Sequence, residues 1–406
     1  MTTPFDATFF KNNRARLCQL TDAPLIVIAA NGLLQRSADT TFPFRQESNF
    51  WYLTGIDEPD FTLVIHNQVA FLIAPKRAEH RDLWDGTLDE SYLARLSGID
   101  KIYEHHEGWI LLDSLIKKLK KVHTLSPAEA YIEAHGFFAN PARQTLLTAL
   151  QRHNKLAVID IRKIIASQRQ VKQPSEITAL KAAIALTTGT LAFVKNNLKN
   201  FKTEAAVNAE ITKQFILAGA NGHAYQPIIA SGGNASTIHY IKNNQPLDEN
   251  ALILIDVGAE VQNYSADITR TFAIKAPTKR QAAIHKAVKE VHSFALSLLK
   301  PGVTLRSFET EVDRAMARQL KSLALINDDN DKKQLKKYYP HLTSHFLGLD
   351  THDVADYDLP LTPGMVLTVE PGIYVAKESI GVRLEDDVLV TPDGVEVLSG
   401  HLSLDL

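Results

Sequence analysis

Leu252 to Val257 reads Leu-Ile-Leu-Ile-Asp-Val, an apolar run broken only by Asp256. Such a run is the pattern of a strand buried on both faces. An ionised carboxylate inside that strand is costly unless it is paired or holds a cation, so this residue restricts what can be folded around it. Eleven positions on stands a second aspartate, Asp267. Gln262-Asn-Tyr264 is turn-like, and Ala266 to Phe272 carries the β-branched residues of a second strand. A hairpin centred near Val261–Gln262 would set Asp256 directly opposite Asp267, with Cβ atoms about 5 Å apart on one face. Two facing carboxylates repel each other, and a bound cation removes the repulsion. The competing reading is one exposed aspartate and one turn aspartate. The apolar flanks and the residues downstream favour the cation.

The chain has 406 residues, enough for two domains. Its formal net charge of −2 gives no overall field to attract nucleic acid or an anionic membrane. A single cysteine, Cys18, excludes an internal disulfide framework and fits a reducing compartment. The start, Met-Thr-Thr-Pro-Phe-Asp, lacks the basic and apolar regions of a secretory signal. No run reads as the roughly 20 apolar residues of a membrane span. The expectation is a soluble cytoplasmic protein with neither a nucleic-acid nor a membrane partner.

Helical and strand patterns interleave over residues 1–168, which predicts an α/β domain. The spacing predicts helices over Phe5–Leu20 (capped by Asp6), Trp109–Leu119, Pro127–His135 and Pro141–His153, and strands over Pro24–Ala30, Phe61–His66, Val69–Ala74 and Leu156–Ile161. The polar stretch Ser167–Pro174 predicts a boundary, and residues 174–406 form the second domain. There Ser175 reads as the cap of a helix running to about Leu198. Helices follow over Thr203–Ala218, Lys279–Leu299 and Leu305–Leu323, and beyond Tyr339 the chain is mostly strand-like with Pro-Gly turns. Blocks of helix and strand predict an α+β domain. The lysine clusters at 117–121 and 332–337 read as solvated faces.

Three more ligand-type residues stand downstream in unusual settings. His345 lies in Pro340-His-Leu-Thr-Ser-His-Phe-Leu-Gly-Leu-Asp-Thr-His-Asp353, Glu370 in Val366-Leu-Thr-Val-Glu-Pro-Gly, and Glu385 in Gly381-Val-Arg-Leu-Glu-Asp-Asp. Both glutamates read as strand-interior acids, which are unfavourable without a partner. Four carboxylates and one imidazole suit two hard divalent ions better than a structural zinc, which would draw on cysteine. Such a set can hold two metals about 3.5–4 Å apart with a bridging hydroxide. His239, His341 and His352 are candidates for polar work beside them; each alone reads more readily as a hydrogen-bonded structural histidine than as a catalytic one. Three imidazoles between His341 and His352 are hard to explain as packing.

These residues resemble aminopeptidase P and prolidase, the proline-specific metallopeptidases of the pita-bread fold, which methionine aminopeptidase shares. Phe42-Pro-Phe-Arg-Gln-Glu-Ser-Asn-Phe-Trp-Tyr-Leu-Thr-Gly55 is similar to an aminopeptidase P segment, as is Asp57-Glu-Pro. The paired aspartates, the histidine, Glu-Pro-Gly and Arg-x-Glu-Asp-Asp follow in the family's order. The resemblance implies an α/β N-terminal domain followed by an α+β pita-bread catalytic domain. It implies metal ligands Asp256, Asp267, His345, Glu370 and Glu385, with Asp267 and Glu385 bridging two ions, most simply Mn²⁺. Asp256 would complete one ion, and His345 with Glu370 the other. His239, His341 and His352 would hold the substrate carbonyl and the tetrahedral intermediate. Glu370 would also carry the proton of the attacking hydroxide to the proline nitrogen, since an amine leaving group must be protonated. Arg383, Tyr225 and Tyr374 match residues near the substrate; Arg383 reads equally as a partner of Asp256 or Glu385, and the tyrosines equally as core.

The implied activity is release of the first residue from peptides with proline second, by an enzyme that forms dimers or tetramers. Prolidase, restricted to Xaa-Pro dipeptides, is the alternative, because it shares every ligand. A non-enzymatic pita-bread binding module is the third reading, disfavoured because all five ligands are retained. Leu342 departs from the family's glycine after the first histidine. Trp84 resembles a tryptophan that reaches a neighbouring subunit's site, although a buried core position is the reading preferred on residue type.

Overall fold

The computed structural model describes residues 3–77, 81–126 and 136–406. The chain divides into two compact units, one spanning Phe5–Gln168 and one built on Arg169–Leu406. The first is α/β. Its six-stranded sheet runs, edge to edge, Ile102–Tyr103, Val69–Ile73, Thr62–His66, Leu25–Ala29, Lys121–Thr124, Ala157–Asp160. The three central strands that meet at Thr62–His66 are antiparallel and the flanking pairs parallel. Leu25, Val27, Val64 and Phe71 pack against Leu112 and Ile116 of helix His105–Leu119 and Leu146 and Leu150 of helix Ala142–Gln151. Asp6 caps the first helix, Ala7–Thr21, by accepting from the Phe9 N–H. The expected helix Pro127–His135 lies outside the described residues. Trp84 is 78% exposed, which overturns its reading as a core residue.

Helix Arg162–Gln170 runs into the polar stretch expected to be a boundary. The next helix, α1 (Pro174–Asn197), starts one residue before the expected cap. Gln173 is its N-cap, in a capping box with Glu176, and Pro174 takes the first turn, where its missing N–H is not needed. α1 is long and apolar enough in composition to span a membrane, which corrects the reading that no run approaches that length. Here Ala183, Ile184, Leu191 and Val194 are buried among residues of α2 (Glu204–Leu217) and of the strands below.

Those strands are β1 (Gly222–His223), β2 (Ile228–Ser231), β3 (Leu252–Val257), β4 (Ala259–Val261), β5 (Tyr264–Ser265) and β6 (Ile268–Ala273). β3 lies between β2 and β6, and β4 between β1 and β5. Two further helices, α3 (Lys279–Leu298) and α4 (Leu305–Ser322), are followed by α5 (Lys332–Tyr338), which forms in the second lysine cluster. Then come β7 (Val366–Val369), β8 (Gly372–Val375), β9 (Ile380–Arg383), β10 (Asp386–Thr391) and β11 (Gly394–Val397). β10 pairs with β7 and β11, and β8 with β9. Ile284, Val288 and Val291 of α3 and Phe308 and Val312 of α4 share a core with Leu367, Val369, Val382 and Val388.

Period-2 alternation decides which residues are left for chemistry. Ile253, Ile255 and Val257 of β3 belong to the core under α1 and α2, whereas Leu254 packs on the other face with Tyr240 and Tyr374. Asp256 shares that second face. The hairpin register corrects the sequence reading. Gln262 and Asn263, with φ of 53° and 67°, form the turn, and Asp256 stands opposite Thr269. The pairing is therefore displaced by two residues, and Asp267 is a diagonal neighbour of Asp256 on the same face. A two-residue turn with both φ positive matches the strand twist, which a turn centred on Val261 would not. Gly258 permits the bend between β3 and β4, because a Cβ there would lie 1.8 Å from the Ala266 carbonyl oxygen.

Candidate metal centre

Only Asp256 of the four carboxylates is within a strand. Asp267 lies between β5 and β6, Glu370 just past β7, and Glu385 between β9 and β10. This corrects the expectation that both glutamates are strand-interior. Each sits at a break where the backbone bends, and the breaks are tied together. The Glu385 N–H donates to the Thr269 carbonyl at 3.0 Å and the Glu370 N–H to Thr343 at 2.8 Å. The Asp267 N–H donates to the Asp387 carboxylate at 3.1 Å.

Asp267, His345 and Glu385 each offer one ligand atom within 4.8 Å of the other two. His345 Nε2 lies 3.5 Å from Asp267 Oδ2 and 3.4 Å from Glu370 Oε1. Its Nδ1 lies 3.0 Å from the Phe346 carbonyl, which can only accept, so Nδ1 carries the hydrogen and Nε2 faces the carboxylates. Asp256 is reached from two sides. The Tyr225 hydroxyl oxygen is 2.5 Å from Asp256 Oδ1 and 2.5 Å from Asp267 Oδ1. A phenol has one hydrogen, so two such contacts to carboxylates need a second proton or a cation in its place. On the other side the Arg383 guanidinium donates to Asp256 Oδ2, to the Tyr374 oxygen at 2.9 Å and to Thr269 Oγ1 at 3.1 Å. Thr269 Oγ1 in turn donates to Glu385 Oε2 at 2.6 Å.

The electrostatics follow from this crowding. Burial pushes the Asp256 carboxyl up; Arg383 opposes the rise and Asp267 adds to it. Burial, then Asp267 and Glu370, hold Glu385 well above the usual carboxylate range. Glu370 is pushed by burial to about 7. Burial lowers His345, but Asp267 and Glu370 outweigh it and raise the imidazole to about 9. Protons thus gather in the cluster at neutral pH, and a hard dication is the other species able to offset so many carboxylates. The donor set fits such an ion: oxygen-rich, without thiolate, and with an imidazole nitrogen already oriented.

His341 stands to one side. Its Nδ1 donates to the Leu342 carbonyl at 2.7 Å, so Nε2 accepts from the Tyr374 hydroxyl at 2.8 Å. The Tyr374 oxygen then accepts from Arg383, which gives the relay a single direction. Burial and the charge of Arg383 push His341 down to about 3, keeping it neutral. His352 is exposed and crosses the His345 ring edge to face, with centroids 4.3 Å apart. His239, also exposed, follows the 3-10 turn Gly232–Ser236 and is close enough to oppose protonation of both His341 and His352. The five candidate ligands, the three histidines, Arg383, Tyr225 and Tyr374 therefore gather around one cluster, with Asp256 paired to Arg383 rather than within the tightest donor group. The sequence reading missed three supports. Thr269 was findable only from the correct hairpin register, and Asp387 stood in a quoted motif without a role. Glu309 gave no signal; from α4 it accepts the N–H groups of Thr343 at 3.0 Å and Ser344 at 3.1 Å, bracing the loop between His341 and His345.

Residues 178–392 match the sequence profile described as metallopeptidase family M24, and residues 10–123 that of the aminopeptidase P N-terminal domain. The chain is 33% identical over 397 residues to the Xaa-Pro aminopeptidase 3 of Mus musculus, a match covering 92% of this chain and 78% of that protein. It is 32% identical to the Xaa-Pro aminopeptidase of Escherichia coli (strain K12), with 97% and 94% covered. A putative aminopeptidase P from Bacillus anthracis superposes with a TM-score of 0.89 at 30% identity, covering 98% of this chain and 96% of that one. Aminopeptidase P from E. coli with the inhibitor Pro-Leu superposes with a TM-score of 0.84 at 29% identity, covering 98% and 95%.

Proposed function

This chain belongs to metallopeptidase family M24, with the aminopeptidase P N-terminal domain ahead of its pita-bread unit, and from that premise we propose how it works as a Xaa-Pro aminopeptidase. It is a metallo-aminopeptidase, and its substrates are peptides with proline at the second position. The observation that carries the chemistry is the convergence of Asp267, His345 and Glu385 donor atoms within 4.8 Å, with Asp256 and Glu370 at the margin. These five side chains would hold two divalent ions, for which the hard donors favour Mn²⁺. Bound there, the ions supply Lewis acidity that polarises a carbonyl and makes water nucleophilic at neutral pH.

The chain's own residues do the rest. Glu370, whose Oε1 lies 3.4 Å from His345 Nε2 at the edge of the donor group, is the carboxylate placed to take up a proton and deliver it to the departing proline nitrogen. Neutral His341, with His352 and His239 exposed at the same site, offers imidazole nitrogens to a substrate carbonyl and the charge that develops on it. Arg383 holds Asp256 and Tyr374, and the Tyr374 hydroxyl donates to the His341 Nε2 that the Leu342 carbonyl leaves unprotonated. Exposure of Trp84 supports a homo-oligomeric enzyme, testable by sedimentation. The lone buried Cys18 supports a cytoplasmic setting, testable by cell fractionation.

Turnover of Xaa-Pro-Xaa peptides compared with Xaa-Pro dipeptides decides between this activity and prolidase. Tripeptide cleavage releasing the first residue is expected; cleavage of the dipeptide alone would replace the assignment with prolidase. Elemental analysis of the active enzyme checks for two metal equivalents and for manganese.

A further inference from the structure

Four charged side chains form a second cluster that the chemistry above does not use. Arg169 Nη2 donates to Asp353 Oδ1 at 2.5 Å and to Asp350 Oδ2 at 2.9 Å, and Lys172 Nζ donates to Asp353 Oδ2 at 2.9 Å. The side chains of Arg169, Lys172 and Asp353 are each 1% exposed, whereas Asp350 is 40% exposed. Two cations and two carboxylates balance, so the quartet is neutral. Burying charges is expensive, and a buried ion pair is weak evidence of a purely stabilising role. Its place in the chain points elsewhere. Asp350 and Asp353 bracket Thr351 and His352, and one guanidinium nitrogen holds both carboxylates.

The loop between them is closed by its backbone as well. The Asp353 N–H donates to Phe346 at 2.8 Å and the Gly348 N–H to Asp350 at 3.1 Å. Gly348 lies flat on the ion pair: a Cβ there would come 2.2 Å from Asp353 Oδ2 and 3.0 Å from Lys172 Cε. Gln170, from the same short segment as Arg169 and Lys172, accepts the Asp356 N–H at 3.0 Å. Residues 169–172 thus grip residues 350–356, with His345 just before the loop and His352 inside it, their rings crossed. An exposed histidine on a loop has many rotamers and backbone positions available. Tying both flanks of His352 to one rigid cation removes most of them.

From this we infer that Arg169 is a positioning residue for turnover: it acts through His352, by fixing the loop that presents it. The inference rests on the role in turnover proposed for His352. Its test is a double-mutant cycle of Arg169→Met with His352→Ala, reading kcat, KM and bound metal. Arg169→Met alone is expected to lower kcat about tenfold at unchanged KM and metal content, and to cost less than about twofold in the His352→Ala background. Equal losses in both backgrounds, or loss of metal, would overturn the positioning role. Arg169→Lys, which keeps the charge, is expected to recover part of the lost kcat. Should Arg169→Met not fold, Asp350→Ala removes only the half-exposed arm, and its smaller kcat loss must likewise vanish when His352 is absent. Wild-type turnover by His352→Ala would overturn both the role of His352 and this inference, whereas proportional losses overturn only the latter.

Discussion

Asp256 has neighbours of opposite effect: Tyr225 ties it to Asp267, and Arg383 pulls its other oxygen toward Tyr374. Removing this carboxylate leaves the Arg383 guanidinium buried without its main counter-charge. Asp256→Ala is therefore expected to lose one of two metal equivalents, read by elemental analysis of the purified protein; a full complement would remove Asp256 from the ligand set. Among the described residues the His341 ion-pair contact with a proposed ligand is the 3.9 Å from Nδ1 to Glu370 Oε2, too long for a hydrogen bond. His341→Ala should cut turnover by about 10²–10³ while metal stays bound. Loss of metal instead would show that His341 serves the ions directly. The types of these residues were legible in the sequence, because carboxylates in apolar strands and three closely spaced imidazoles have few structural explanations. Their partners were not. Arg383 read equally as a substrate contact or as a partner of Asp256 or Glu385, and only the packing of β9 against β3 and β6 puts it on Asp256.

At the scale of elements, the hairpin from β3 to β6 sets which of its side chains face the candidate metal site, and a shift of one residue would turn them away. The chain pins that register with Gln262 and Asn263 in the turn and Gly258 at the pinch. Gly258→Ala would force its Cβ against a backbone carbonyl, which cannot rotate aside. It should destabilise the protein by about 1–3 kcal/mol in urea titration; an unchanged midpoint would mean that the hairpin opens freely. The sequence reading found both strands and the shared face but misplaced the pairing by two residues. Apolar alternation reports only odd or even position, so a displacement by two is invisible to it. α1 shows the converse case. Its capping box was missed because glutamine at the N-cap, before proline, is an uncommon signal beside the more familiar Ser175.

Across the whole molecule, the cost of gathering so many carboxylates in one unit predicts how stability responds to pH and metal. In the metal-free protein the folded pKa of Glu370 is raised from 4.5 to about 7, and that of His345 from 6.5 to about 9. Between the unfolded and folded values the native state binds more protons, so stability falls as pH rises. Chelated protein should therefore lose melting temperature progressively from about pH 4.5 to pH 9, and restoring Mn²⁺ should flatten the slope at neutral pH. A metal-free melting temperature that rose over this range would contradict the electrostatics of the cluster. By itself the sequence determined the two-unit organisation, the helix and strand content, and the set of acids and imidazoles, because each is written in local pattern or residue type. The tertiary structure alone decided the hairpin register, the pairing of Asp256 with Arg383, the support from Thr269 and Glu309, and the grip of Arg169 on the loop of His352. The register lies beyond period-2 alternation, and the other contacts join residues from 34 to 184 positions apart, where no local pattern records which distant side chain meets which.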